Sequence, residues 1–405
     1  MNSIIRKMAL VLFFMHLISL NPQASGISKE TNSNLKTLQQ GKSGIYVRLA
    51  KQGKEKEGEG RKKRNKMQDP IQTHPLVDAV VIATSWGDVE PTRGSYSFDS
   101  LLNEVNRWGK AGKGVVIGLV LYGQTVDDAK TPPWIYAQPN VREIAFSGGG
   151  TAKGRQIRVP AVWDEGFVEK YAEPMIEAFA KTFDGNPNVW YIMPGLGSNG
   201  NIAAQPSKDG APAFLAAGWT PEKWSNYCRQ IMTVYQKHFR RTPLLLKSGG
   251  RFLRDPQRDN YNREAVELLT EFGKQGTSLI HFSLEADKTT MMEVYSNLAG
   301  VVPDAQKGIN RIGLGDDWPL WVPESRRKKG PTENHDENYL RKLLDYAFGG
   351  IDGIPAIPTT ILFCQKPEIL ASNPNNRNYR PEVAEALKKA RERLKKNDLL
   401  IFGSK

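Results

Sequence analysis

The stretch GVVIGLVLYG, Gly114 to Gly123, decides the fold. Val115, Val116, Ile117, Leu119, Val120 and Leu121 follow one another without the polar–apolar alternation of a strand that has one wet face. A short continuous apolar run bounded by glycines reads as a strand buried on both faces, the pattern of a parallel sheet covered by helices. VDAVVIATSW, Val77 to Trp86, has the same character. Between the two, SFDSLLNEVNRWGKAGK places Leu101, Leu102, Val105 and Trp108 on one helical face.

Working outward, the unit repeats. GIYVRLAK (from Gly44) is a first strand, and NVWYIMPG, TPLLLKSGG, SLIHFSLEAD (Ser278 to Asp287), NRIGLGDDW (Asn310 to Trp318) and the Thr359 to Gln365 part of GIPAIPTTILFCQ complete eight. Helical patterns separate most of them. EGFVEKYAEPMIEAFAKTF should kink at Pro174. TPEKWSNYCRQIMTVYQKHF starts properly, with Thr220 as N-cap and Pro221 at N1. RPEVAEALKKARERLKK is a final helix. Eight buried strands alternating with helices predict an α/β chain folded as a single (β/α)8 TIM barrel over residues 43–398, with a tail at 399–405.

Ahead of the barrel, MNSIIRKMALVLFFMHLISLNPQASG (1–26) carries Arg6 and Lys7, then an apolar run too short for the ~20 residues of a membrane span, then small residues. It reads as a signal peptide, followed by a polar segment over 27–42. The expectation is a secreted or periplasmic protein with no stable membrane insertion after cleavage. The chain has 56 Lys and Arg against 43 Asp and Glu, a formal net charge of +13. Much of the excess sits in local runs at Lys54–Lys66, Ser325–Gly330 and Lys388–Lys396. No aromatic–basic interleaving accompanies them, so they read as solvated loops and helix faces, not as a nucleic-acid surface. Cys228 and Cys364 read as buried free thiols, and two cysteines with five scattered histidines give no metal-site spacing.

In such barrels chemistry sits where strands end, on the loops that follow. Those loops hold Trp86, Glu90, Pro91, Gly94, Tyr96 and Phe98 as W-x-x-x-E-P-x-x-G-x-Y-x-F, then G-K-x-V, T-P-x-W and V-P-x-x-W-D. In this order they resemble the clan A glycoside hydrolases, most of all the β-galactosidase-like branch, over roughly residues 43–205. The resemblance implies bond cleavage by two carboxylates, an acid/base Glu after the fourth barrel strand and a nucleophile after the seventh. Relatives read G-x-G-x-x-G-E after the fourth strand. This chain reads GLGSNGN, Gly195 to Asn201, so Asn201 stands where that Glu would be. An amide does not titrate and cannot serve as the acid.

Carboxylates near other strand ends are Glu285 in SLEAD and Asp316 and Asp317 in GLGDDW, and these are the catalytic candidates, Asp316 preferred over its neighbour for the barrel mouth. Glu90 reads as a structural bridge that, with Asp88, orients Arg93. Aromatic rings stack on sugar faces, and Trp86, Tyr122, Trp134, Trp163, Trp318 and Trp321 all fall near strand C-termini. Asn199 and Asn201 offer amides or simply form turns. Lys247 and Arg251 suit a sulfated or uronic-acid sugar. The expected partner is a carbohydrate, neutral or anionic, with no cofactor. Two functions follow: a secreted glycoside hydrolase acting on a polysaccharide or oligosaccharide, or a degenerate barrel that binds carbohydrate without cleaving it.

Overall fold

The structure is a computed structural model that describes residues 42–49, 70–123, 130–148, 154–204, 210–249, 251–253, 261–282, 284–286, 288–316, 318–327, 333–350 and 356–403. The leader at 1–26, the polar segment at 27–41, the charged run at 54–66, Asp287 and Asp317 lie outside the described residues.

The described residues form ten strands: β1 (Gly44–Arg48), β2 (Ala79–Ser85), β3 (Gly114–Val120), β4 (Glu143–Ser147), β5 (Gln156–Pro160), β6 (Val189–Met193), β7 (Leu245–Ser248), β8 (Ser278–Phe282), β9 (Ile312–Gly315) and β10 (Thr359–Cys364). Eight form one parallel sheet in the order β6-β3-β2-β1-β10-β9-β8-β7. The two ends of that order meet: Ile192 pairs with Leu244 and Asn201 with Lys247, both in parallel sense, and the Ile192 N–H donates to the Pro243 carbonyl at 3.0 Å. The sheet thus closes into the expected (β/α)8 barrel. The opening stretch is buried along its whole length, as its unbroken apolar character requires.

The main outer helices are α1 (Asp99–Lys110), α2 (Glu173–Phe183), α3 (Pro221–His238), α4 (Asn262–Lys274), α5 (Lys288–Leu298), α6 (Glu337–Gly349) and α7 (Pro381–Phe402). Thr220 caps α3 by accepting from the Lys223 N–H at 3.2 Å. Pro174 produces a π-helical turn at Val168–Ala172 that leads into α2, where the Glu173 N–H reaches the Val168 carbonyl. The proline ring cannot sit against the carbonyl four residues back and gives it no N–H, and a widened turn relieves both problems.

Two apolar layers result. Between sheet and helices lies the large outer core, in which Trp108, Phe179, Phe183, Trp224 and Leu343 are buried. Inside the barrel, Tyr46, Val81, Val116, Tyr191, Met193, Leu245, Ile280, Phe282, Ile361 and Phe363 fill the lumen. The floor is sealed by α7. Arg311, just before β9, donates from Nε to Asp398 at 2.9 Å, and its guanidinium lies 3.7 Å from the Phe402 ring centroid. Higher on α7, Arg391 pairs with Asp78, whose carboxylate also accepts from the Ile45 N–H at 3.0 Å. The basic run at Lys388–Lys396 is therefore a helix face, partly solvated and partly tied to the barrel rim. Cys228 and Cys364 are buried free thiols.

Sequence reading passed over the β4–β5 hairpin, an antiparallel pair inserted between β3 and β6. Its signal was present as alternation: Ile144, Phe146, Ile157 and Val159 are buried while Glu143, Ala145, Gln156 and Arg158 face out.

Candidate carbohydrate site at the barrel mouth

The loop after β6 is built as an upward extension of the barrel wall. Ser198 bridges to Tyr122 beyond β3 on one side, and Asn201 bridges to Lys247 of β7 on the other. Glycine makes this possible. A Cβ on Gly195 would stand 1.8 Å from the Leu119 carbonyl oxygen, and one on Gly197 would stand 2.2 Å from that of Ala203. Asn199 takes a left-handed φ of 54°, which asparagine tolerates, and its Oδ1 accepts from Lys130 Nζ at 2.5 Å. Asn201 turns its Oδ1 onto the next backbone N–H, that of Ile202, at 2.6 Å. Asn201 thus serves its own loop through this oxygen.

The carboxylates divide by what holds them. Glu90 is buried between the Trp86 indole N–H (2.6 Å) and the Gly94 N–H (2.7 Å), the structural bridge expected of it. It does not orient Arg93, whose guanidinium donates to Gln138 and lies over the rings of Trp134 and Tyr171. Asp88 accepts from the Ser85 hydroxyl at 2.5 Å. Asp316 is buried; its Oδ1 accepts from the Trp318 N–H at 2.9 Å, and its backbone carbonyl accepts from Gln365 Nε2 at 3.1 Å. Ile312 and Leu314 belong to the outer core, whereas Cβ atoms on Gly313 and Gly315 would meet Ile361 and Phe363 of the lumen. Glu285, after β8, is exposed, and its charge is felt by His335.

The six candidate aromatics also separate. Trp86, Tyr122 and Trp321 are buried, with the Tyr122 hydroxyl on the Ala204 carbonyl (2.5 Å) and the Trp321 indole on Glu337 (3.0 Å). Trp134 is half-buried edge-on to Trp86, and Trp163 is half-buried against Phe214 and Trp224. Trp318 differs: it is 48% exposed, directly after β9.

Lys247 is buried at the end of β7, with Nζ 4.5 Å from the Phe282 ring centroid, so the lumen's aromatic stack ends upward in a cation. Arg251 is half-buried, and its charge helps to keep the His281 pKa low. Sequence reading missed Glu368, in the short helix Lys366–Ala371 after β10, fully buried at the mouth's edge. Its signal was slight, an N-cap spacing of Gln365 and Glu368 before an apolar pair. Among the described residues no cluster of His, Cys, Asp and Glu could hold a metal ion, and no helix is long and apolar enough to cross a membrane.

No protein-family model matches the chain, and no curated protein matches it. Solved structures do. The catalytic domain of the beta-amylase from Paenibacillus polymyxa superposes with a TM-score of 0.52 at 12% identity, over 86% of this chain and 97% of that one. Native xylanase 10B from Thermotoga maritima gives 0.51 at 12% identity, over 90% and 98%. At this identity the likeness is one of fold, and it is the fold that the resemblance to clan A glycoside hydrolases implied: the chain is a (β/α)8 barrel of the kind those enzymes use.

Proposed function

We propose that this chain is a secreted, glycoside hydrolase-like barrel that holds a carbohydrate chain at its C-terminal face and does not hydrolyse it by the two-carboxylate route. The observation that carries the reading is Asn201. At the position the family gives to its acid there is an amide, and its oxygen is used on the Ile202 N–H. The other described carboxylates beneath the mouth support it, because Glu90, Asp88 and Asp316 hold backbone, indole or hydroxyl groups of their own loops. The exposed ring face of Trp318 supports it too, and the buried Lys247 and half-buried Arg251 are cations of the kind that suit a uronic or sulfated sugar. Hydrolysis through Glu285 is the second reading, favoured by its exposed carboxylate.

The test is a panel of neutral and anionic polysaccharides, with binding followed by calorimetry and cleavage by release of reducing ends. The expected result is retention of a polysaccharide without new reducing ends. Trp318→Ala should weaken that binding about fivefold, since a stacked ring face contributes on the order of 1 kcal/mol. Reducing ends that vanish in Glu285→Gln would establish the hydrolase reading instead. Failure to bind any member of the panel would sink both.

A further inference from the structure

Glu368 has no part in the site as built so far, yet it is fully buried beside it. Its Oε1 accepts the Gln365 N–H at 2.5 Å, closing a capping box at the start of its short helix. The same oxygen accepts the N–H of Leu320, in the loop after β9, at 3.4 Å. Oε2 is buried with no hydrogen-bond partner. Gln365 in turn donates from Nε2 to the Asp316 carbonyl. Between these two anchor points Asp316 Oδ1 accepts from the Trp318 N–H, and His335 Nδ1 lies 2.6 Å from the Pro319 carbonyl. The backbone of the loop is thus tied at Asp316, Trp318, Pro319 and Leu320, and Trp318 is the residue among them whose side chain projects into solvent. A capping box needs only a surface glutamate. Full burial of a carboxyl is costly, and a helix cap does not require it.

We propose that Glu368 is a positioning residue of the barrel mouth: through Leu320 directly, and through Gln365 to Asp316, it sets where the Trp318 ring stands and couples that position to its own ionisation. The consequence for glycan binding rests on the reading of Trp318 given above; the loop mechanism does not.

The groups around Glu368 isolate it as the switch. Burial pushes its carboxyl up to about 7, and the charge of Asp316 pushes the same way, while the backbone N–H bonds pull back. Cys364, on β10, is held far above its ordinary value by burial, and so stays neutral. His335, behind Pro319, is lowered by burial, and so is His74, which meets Ser372 at the far end of the helix. Both are neutral at pH 7. Lys366, on the same helix, is lowered by desolvation. Ionised Glu368 makes charge-assisted bonds to the Gln365 and Leu320 N–H groups, and such bonds are about twice as strong as neutral ones. These two bonds therefore strengthen as pH rises through 7, while the Asp316 carboxylate repels the new charge, so the loop shifts with the ionisation of Glu368.

The measurement is the indole N–H resonance of Trp318 in the full chain, assigned by its absence from Trp318→Phe, followed from about pH 6 to about pH 8. The expected result is a titration with a midpoint near 7 in the wild type, absent in Glu368→Gln. Wild-type spectra alone decide the matter should that variant fail to fold: an indole signal that does not move over this range overturns the proposal. So does a titration that survives in folded Glu368→Gln. With a polysaccharide that binds, affinity should follow the same midpoint, changing two- to threefold toward pH 8. A titrating indole on a chain that binds no glycan would refute the carbohydrate reading and leave the positioning role standing. Glycan binding with a static indole would do the reverse.

Discussion

Gly195 shows what a single position can dictate. The loop after β6 passes so close to β3 that a Cβ there would meet the Leu119 carbonyl oxygen at 1.8 Å, a backbone atom that cannot swing aside. Gly195→Ala should cost about 1–3 kcal/mol in urea unfolding and loosen the mouth, as overpacking of a fitted contact does. Gly349, the last residue of α6, makes the matching control. It has open space around its Cβ position, so Gly349→Ala should change stability by less than about 1 kcal/mol. At this scale the sequence shows Asn201 in a glycine-rich loop where the resemblance implies a glutamate. That its oxygen bonds to the next residue's N–H depends on the loop's curvature, which the spacing of glycines suggests but does not determine. Glu90 was legible as a structural bridge, while the partner assigned to Arg93 was not, because that arginine lies on rings from a loop over forty residues away.

Among the elements, α7 contributes most beyond its own packing. It binds β1 and β10 along its length and closes the barrel floor with its last two turns. Arg311 is almost fully buried, close enough to Tyr46 and Tyr191 for its charge to couple to them, and Asp398 is the carboxylate that compensates it. Removing one member of such a pair leaves an uncompensated charge in an apolar place. Asp398→Ala is therefore expected to destabilise the fold by about 2–3 kcal/mol, somewhat below the figure for a fully buried pair because Asp398 is 27% exposed. Urea midpoints of Asp398→Ala and of a surface control such as Glu385→Ala check it. The control pairs with Lys389 on an exposed helix face and should cost no more than about 0.5 kcal/mol. Strand and helix existence followed from unbroken apolar runs and 3.6-residue spacing. The β4–β5 hairpin did not, because its short alternating strands lie between longer signals and are paired with each other, not with the barrel.

Over the whole molecule, buried histidines govern behaviour in acid. His74 and His281 are each lowered to about 4, in both cases chiefly by burial and then by a nearby cation, Lys113 or Arg251. A histidine whose folded pKa lies below the unfolded value of about 6.5 stabilises the fold above that value and loses the contribution as pH falls toward 4. Glu368 works in the opposite sense: its raised pKa gives stability that is lost as pH rises from 4.5 toward 7. His335, also lowered by burial, acts with them, and three histidines against one carboxyl make the net trend a loss in acid. Urea unfolding at stepwise pH should show stability dropping below about pH 6. His281→Leu should flatten that fall by up to about 3 kcal/mol, since burial lowers the His281 pKa to about 4. An unchanged acid slope in His281→Leu would remove His281 from the account.

The sequence by itself determined the barrel, since eight apolar runs buried on both faces, with helices between them, have few other ways to leave water. It also placed an amide, Asn201, where the resemblance to clan A glycoside hydrolases implies a glutamate. Only the tertiary structure decided which candidate residues are offered outward. Trp86, Tyr122 and Trp321 have the same chemistry and the same strand-end placement as Trp318, yet their rings are taken up by contacts with distant segments while the Trp318 ring is not. Burial at a strand end depends on which loops fold over it. For Trp318 that is decided by Glu368 and Gln365, some fifty residues further along the chain.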